Sequence, residues 1–236
     1  MQSLFSYVAP PSPCSYLPDQ DWSLEYELVQ DLSGAEYMQR MLDGWRRFGR
    51  MLFHPRCPTC NACQALRVDV ARFAPNRSQR RAWDANAGAI EVHMGTPSVS
   101  RAKLDLYDRF HAFQADHKGW PDHAPKDAAG YRESFVHNPA FTEEWCYYLS
   151  GNLVGVGYVD NLPQGLSDIY FFYEPEERRR SLGTLNVLFT LLEAKNRGVP
   201  HVYLGYYVAG CPSLEYKANF RPNEVREPDG VWRPFR

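Results

Sequence analysis

Hydrophobic and polar positions fall into two textures that change near residue 141. In the first, Pro10, Pro11, Pro13 and Pro18 predict an irregular loop over residues 1–22. Ser23–Gln30 alternates apolar and polar side chains and predicts a strand. Ser33, with Glu36 three residues on, makes a capping box for a helix running to about Trp45. Phe48–His54 and Ala65–Val70 predict strands on either side of a cysteine-bearing turn, a zinc-ribbon-like arrangement. Ala89–Met94 is a further short strand. Ser100–Lys118 carries apolar residues at 104, 106, 107, 110 and 113, one face of a helix. A polar loop over 116–126 and a short helix over Ala128–Val136 follow.

In the second texture, Glu144–Ser150 and Leu153–Asp160 predict strands joined at Gly151-Asn152. Leu166–Tyr173 is a long strand. Ser181–Asn196 is a helix with apolar positions 182, 185, 188, 189, 191 and 192, closed by Gly198, and His201–Tyr206 is a last core strand. This order is similar to the core of N-acetyltransferase-like domains. There, a glycine-bearing turn holds a pyrophosphate at a helix N-terminus. Here the turn reads Arg180-Ser181-Leu182-Gly183-Thr184-Leu185 and lacks the last small residue, which speaks against coenzyme A. The expected fold class is α+β. An acetyltransferase-like (GNAT-type) domain over 96–236 follows a small Cys- and Arg-rich α/β domain over 1–95.

The 236 residues are 44% apolar and 14% aromatic, which provides for a packed core and excludes bulk disorder. No apolar run reaches membrane-spanning length, and the start has no basic n-region, so the expected location is the cytoplasm. The net charge of −2 excludes a histone-like protein but hides a segregation. Residues 1–39 hold six acids and no Lys or Arg, whereas residues 40–81 hold ten arginines against Asp43 and Asp69. All the bases in that stretch are Arg, whose planar fork suits phosphate and stacks on nucleobases. Two readings fit: an RNA-phosphate footprint, or neutralisation of the preceding acids.

Cys57-Pro-Thr-Cys60-Asn-Ala-Cys63 spaces three thiols by three, and Cys14 lies upstream. In a cytosolic chain such clustering points to metal over disulfide. Zinc, a four-iron cluster and a simple reduced turn all remain open for Cys14, Cys57, Cys60 and Cys63.

Six stretches occur in one order: Pro13-Cys14-Ser15-Tyr16-Leu17-Pro18, the Cys triplet, Phe73-Ala74-Pro75-Asn76-Arg77-Ser78-Gln79-Arg80-Arg81, Ser181-Leu182-Gly183-Thr184, Tyr203-Leu204-Gly205-Tyr206-Tyr207 and Tyr216-Lys217-Ala218-Asn219-Phe220-Arg221-Pro222. Over roughly residues 5–225 the chain resembles the aspartate/glutamate leucyltransferases, the bacterial branch of the aminoacyl-tRNA–protein transferases. The resemblance implies transfer of leucine from leucyl-tRNA to proteins beginning with Asp or Glu, marking them for degradation. Its partners would be leucyl-tRNA and those proteins, with no DNA and no membrane. Eukaryotic relatives use arginyl-tRNA and carry a Cys pair where this chain has Cys14-Ser15-Tyr16-Leu17.

The chemistry such a transfer needs is modest. The ester is already activated, and the attacking α-amine has an ordinary pKa of about 7.7–8.0. No cofactor is required; alignment, a proton acceptor and an oxyanion donor suffice. Arg77, Arg80 and Arg81 are candidates for the tRNA end. Lys217 and Arg221 are candidates for the acceptor's acidic side chain, with Arg77 as an alternative. Tyr206, Tyr207 and Tyr216 are candidates for hydrogen bonding in the chemical step, and Asp160 and Glu174 for the amine proton. Three competing readings are an arginyl-tRNA–protein transferase, a coenzyme A-dependent N-acetyltransferase, and a zinc-ribbon RNA- or protein-binding module.

Overall fold

A computed structural model describes all 236 residues. The chain opens with β1 (Gln2–Val8), the two-residue strands β2 (Ser12–Pro13) and β3 (Asp21–Trp22), and β4 (Leu24–Gln30). It continues through α1 (Gly34–Leu42), β5 (Arg46–Phe48) and β6 (Met51–Pro55). β1, β4, β6 and β5 form a four-stranded sheet in that order, with every neighbouring pair antiparallel. β1 replaces the expected loop: the prolines begin only at Pro10, and Ser3–Val8 is free to pair with β4. The Ser33/Glu36 capping box forms as expected.

An eight-stranded mixed sheet takes β7 (Gln64–Asp69) and β8 (Ile90–Gly95), with α2 (Arg77–Asp84) between them. After α3 (Arg101–Lys118) and the short α4 (Ala128–Tyr131) come β9 (Thr142–Leu149), β10 (Asn152–Leu162) and β11 (Gly165–Tyr173). α5 (Leu182–Asn196), β12 (His201–Tyr207), α6 (Pro212–Glu215), β13 (Asn223–Arg226) and β14 (Trp232–Pro234) complete the chain. The order is β14-β13-β7-β12-β11-β10-β9-β8, and only β11 and β12 run parallel. Pairing thus crosses position 95/96, because β7 lies between β12 and β13. The turn between β9 and β10 is Ser150-Gly151, one residue earlier than expected, and both residues have positive φ as such a turn requires.

The expected zinc ribbon does not form. β6 and β7, the strands flanking the Cys turn, belong to different sheets and do not pair. Each satisfies its backbone elsewhere, β6 against β4 and β5, β7 against β12 and β13. The tail is structured too: β13 and β14 extend the large sheet.

Apolar residues of α5 pack on one face of this sheet with Trp145, Tyr147 and Val202. Leu106, Tyr107 and Phe110 of α3 cover the other face with Tyr158 and Phe172. α1 closes a third core over Leu52, Leu162 and Tyr203. No helix is long and apolar enough to cross a membrane.

Candidate functional site

β11 and β12 stay paired only from Gly165 to Ser167, opposite His201 to Tyr203. Beyond that point they part, and Asp168 is the first β11 residue past the last pair. Asp168 Oδ2 accepts from Asn186 Nδ2 of α5 at 3.0 Å, and Asn186 Oδ1 accepts from Tyr147 Oη at 2.8 Å. Asp168 Oδ1 is buried without a partner. Burial raises this carboxyl to about 6, against the opposing pull of Asn186 and Lys217.

The chain returns over the gap through α6 and the tight helical turn Tyr216–Asn219. Lys217 Nζ donates to the Tyr206 carbonyl at 2.9 Å. Gly205 on the same strand has φ +81°, the left-handed region that favours glycine. Burial pushes the Lys217 ammonium down to about 8; the Asp168 charge opposes this and the Arg46 charge adds to it. Tyr216 leaves 44% of its surface exposed, while desolvation and the Asp168 charge raise its hydroxyl.

α2 docks against the same turn. Asn76 caps it, with Gln79 completing a capping box, a helix start that the sequence pattern alone did not reveal. Gln79 is buried and its Nε2 donates to the Asn219 carbonyl at 3.1 Å. Phe73 stacks on Phe220 with centroids 6.3 Å apart. Arg77, Arg80 and Arg81 are thereby held beside the Lys217 turn, exposed and paired with no carboxylate. Arg180 reaches the end of this helix, donating to the Ala85 carbonyl at 3.1 Å. Elsewhere in the basic stretch Arg40, Arg47, Arg56, Arg67 and Arg72 all pair with acids, so neutralisation accounts for half of it.

The other candidates are dispersed. Tyr206 Oη donates to the Gly44 carbonyl at 2.8 Å. Tyr207 is buried and packs on Phe235, 5.0 Å between centroids. Asp160 has no exposed surface, and Arg47 and Thr142 occupy its oxygens. Glu174 sits past the far end of β11 and accepts from Arg109 Nη2 at 2.7 Å. The structure therefore brings neither carboxylate to the cleft. Arg221 is exposed, its Nε donating to the Ala218 carbonyl at 3.3 Å. Sequence reasoning missed Asp168; a lone acid within the apolar run Leu166–Tyr173 was the available signal.

Cys57, Cys60 and Cys63 line an open cavity of about 380 Å³ together with Gly44, His54 and Tyr206. Burial pushes the Cys63 thiol up to about 12, reinforced by Cys57, Cys14, Cys60 and Cys211 nearby. Cys14 accepts from the Tyr16 amide at 3.4 Å and Cys60 from the Ala62 amide at 3.5 Å. All six cysteines are free. As placed, no group of three or more His, Cys, Asp or Glu side chains is arranged to hold a metal ion.

A basic helix thus lies beside a cleft that holds a half-buried carboxyl and a half-buried ammonium. Family models name the class. The model described as "Arginine-tRNA-protein transferase, N terminus" matches residues 12–81, and its C-terminal counterpart matches residues 102–227. The chain belongs to the arginine-tRNA-protein transferase family. Among curated proteins it is similar to the aspartate/glutamate leucyltransferase of Nitrosococcus oceani, 38% identical over 232 residues, covering 96% of this chain and 94% of that one. The enzyme of the same name from Halorhodospira halophila is 38% identical, covering 93% and 92%. That of Pseudomonas fluorescens is 36% identical, with the same coverage. Among solved structures, the structure of L-PGS from Bacillus licheniformis overlays with a TM-score of 0.44 at 12% identity, covering 62% of this chain and 46% of that one. At that level no functional argument follows.

Proposed function

We propose that this protein is an aminoacyltransferase that moves leucine from leucyl-tRNA to the α-amine of proteins beginning with Asp or Glu, creating a degradation signal. The observation that carries this is the 38% identity to an aspartate/glutamate leucyltransferase along nearly the whole of both chains. Arginyl-tRNA is the less favoured donor because the relatives matched over the full length are leucyltransferases. The degenerate turn at Gly183 disfavours coenzyme A.

In this reading residues 96–236 are the acetyltransferase-like, GNAT-type part that carries the acyl cleft. Residues 1–95 are the Cys- and Arg-rich part that presents RNA to it. Arg77, Arg80 and Arg81 take phosphates of the tRNA acceptor end, supported by their exposure, their lack of acidic partners and their docking beside Lys217. Lys217 adds positive charge to the region that receives the acceptor's acidic side chain, with Arg221 at the rim.

The α-amine attacks the ester carbonyl of the aminoacyl group, forming the new C–N bond. The proton shed by nitrogen passes to Asp168 Oδ1, and from there to the ribose oxygen as the C–O bond breaks. A carboxyl near 6 is deprotonated at neutral pH yet basic enough to share a proton in the transition state. Tyr216, whose hydroxyl feels the Asp168 charge, donates a hydrogen bond to the tetrahedral oxyanion. Tyr206 closes the wall between cleft and cavity, and Tyr207 is packing. The reaction needs no cofactor and takes place in the cytoplasm, where charged tRNA is found.

A second reading concerns the Cys corner: a zinc ion or an iron–sulfur cluster on Cys14, Cys57, Cys60 and Cys63. Its support is the mutual influence of those thiols, and their side chains must turn inward to make a closed shell. Elemental analysis and the visible spectrum of anaerobically purified protein decide it.

The principal test offers labelled leucyl-tRNA, arginyl-tRNA or acetyl-CoA with peptides starting in Asp, Glu or Arg. Label from leucyl-tRNA on the Asp and Glu peptides is expected. Label from acetyl-CoA instead would overturn the proposal.

A further inference from the structure

We infer that the Nε–Nη2 edge of Arg46 seats the carboxylate of the acceptor's N-terminal Asp or Glu, and so selects acidic N-termini, an assignment that rests on the leucyl-transfer reading for its substrate. Arg46 lies on β5 and is 6% exposed. Its Nη1 donates to the carbonyls of Trp45 at 2.7 Å and Met41 at 3.4 Å. Its Nε and Nη2 are buried and have no partner.

The next residue shows what that edge does when it is filled. Arg47 Nε and Nη2 clasp the two oxygens of Asp160. Arg46 presents the same two parallel N–H groups to nothing in this chain, and a buried unpaired cation is costly. A planar carboxylate is the group that satisfies both donors at once.

The surroundings add charge of the same sign. The Lys217 ammonium feels the Arg46 guanidinium as well as the Asp168 carboxylate, which places a second cation close to the Arg46 edge. Arg46 does not itself line the 380 Å³ cavity; the Tyr206 ring, 5.5 Å from its guanidinium carbon, does, so a carboxylate entering from the cavity must pass Tyr206. In an N-terminal Asp or Glu the side-chain carboxylate and the α-amine are a few bonds apart. A carboxylate on Arg46 therefore holds the amine toward Asp168 and Lys217. An Asn or Gln in its place offers one acceptor oxygen and sets its NH2 against the other N–H, and sites with unpaired buried polar groups reject such analogues strongly.

The test uses the whole protein and peptides differing only in Asp, Glu, Asn or Gln at position 1. Calorimetric titration is done without tRNA, and leucylation is done with labelled leucyl-tRNA. The wild-type protein is expected to bind the Asp peptide at least about 10-fold tighter than the Asn peptide. Arg46→Met is expected to erase that preference and lower kcat/KM for the Asp peptide about 100-fold. Slow transfer to the Asn peptide and affinity for leucyl-tRNA should stay within about threefold, since neither uses this edge. Arg46→Lys keeps the charge without the fork and should retain about a tenth of the Asp-peptide kcat/KM; it decides the matter if Arg46→Met does not fold.

An Asp-over-Asn preference that survives both substitutions overturns the inference. So does an equal fall for both peptides, the mark of a structural arginine beneath Tyr206. Wild-type protein that prefers Asp peptides yet never accepts leucine from leucyl-tRNA removes the transfer reading and leaves the Arg46 seat standing. Leucylation with no such preference removes the seat alone.

Discussion

The Arg47 guanidinium, from the four-stranded sheet, grips both carboxylate oxygens of Asp160 in the eight-stranded sheet, 113 residues away in sequence. Both side chains are fully buried. Arg47 also donates to Asn138 Oδ1 at 2.9 Å and to the Gly49 carbonyl at 2.7 Å, so it ties three segments together.

Breaking that clasp from one side leaves a buried charge without its partner. Asp160→Asn is expected to lower unfolding stability by about 3–5 kcal/mol. Denaturant titration checks it. A midpoint shift worth less than about 1 kcal/mol would show the pair to be dispensable.

Asp168→Asn is expected to lower single-turnover leucyl transfer about 100-fold or more, the usual share of a positioned base. Wild-type rates should rise with pH through about 6 as this carboxyl loses its proton, and the variant should lack that acidic limb. The groups facing Asp168 are Asn186, Lys217, Tyr147 and Tyr216; both tyrosine hydroxyls are raised from their ordinary range, so only Lys217, at about 8, titrates close by. A limb that persists in the variant assigns the proton acceptor elsewhere.

The same carboxyl makes a stability prediction of opposite sense. Its folded value lies above its unfolded one, so its penalty on folding is absent at acid pH. The penalty grows as pH rises from the ordinary Asp value of about 3.9 to the folded value, and is complete above that. Asp168→Asn should therefore gain thermal stability over wild type at pH 7.5 and little at pH 4. Melting curves at the two pH values test this, and equal differences would refute it.

Arg80→Ala with Arg81→Ala should weaken tRNA binding and flatten its salt dependence by about 0.7–0.9 in log–log slope for each phosphate no longer neutralised. Peptide affinity in the absence of tRNA should not change. Filter binding from 50 to 200 mM salt gives the slope, and an unaltered slope would remove these arginines from the RNA face.

Tyr216→Phe should reduce kcat about 10²-fold with little change in KM, as loss of one oxyanion donor does. A purely KM effect would instead make Tyr216 a contact for substrate.

Much of the fold was legible because local rules coincide with the outcome. The capping box at Ser33/Glu36, the amphipathic spacing in α3, and the strand–turn–strand succession of β9–β11 are each satisfied by neighbours in sequence. β1 was misread because it is exposed along its whole length and leaves no hydrophobic alternation to detect. The zinc ribbon failed because strand pairing is a tertiary choice: β7 found β12 and β13, both more than 130 residues away. Within the candidate site, Lys217, Tyr216 and Arg77–Arg81 could be picked out by residue type and order. Asp168 and Arg46 could not, since each is one of many acids or arginines until its neighbours are known.

By itself, then, the amino-acid order determined most of the longer helices and strands, that ten arginines cluster ahead of a transferase-like core, and which family the motifs resemble. The three-dimensional packing alone decided which charges are cancelled and which are left over. Arg47 meets Asp160 while Arg46 meets no acid, and Asp168 stands where two parallel strands separate. Propensity and periodicity act over a few residues. Ion pairing and desolvation depend on distances set by chain segments more than a hundred residues apart.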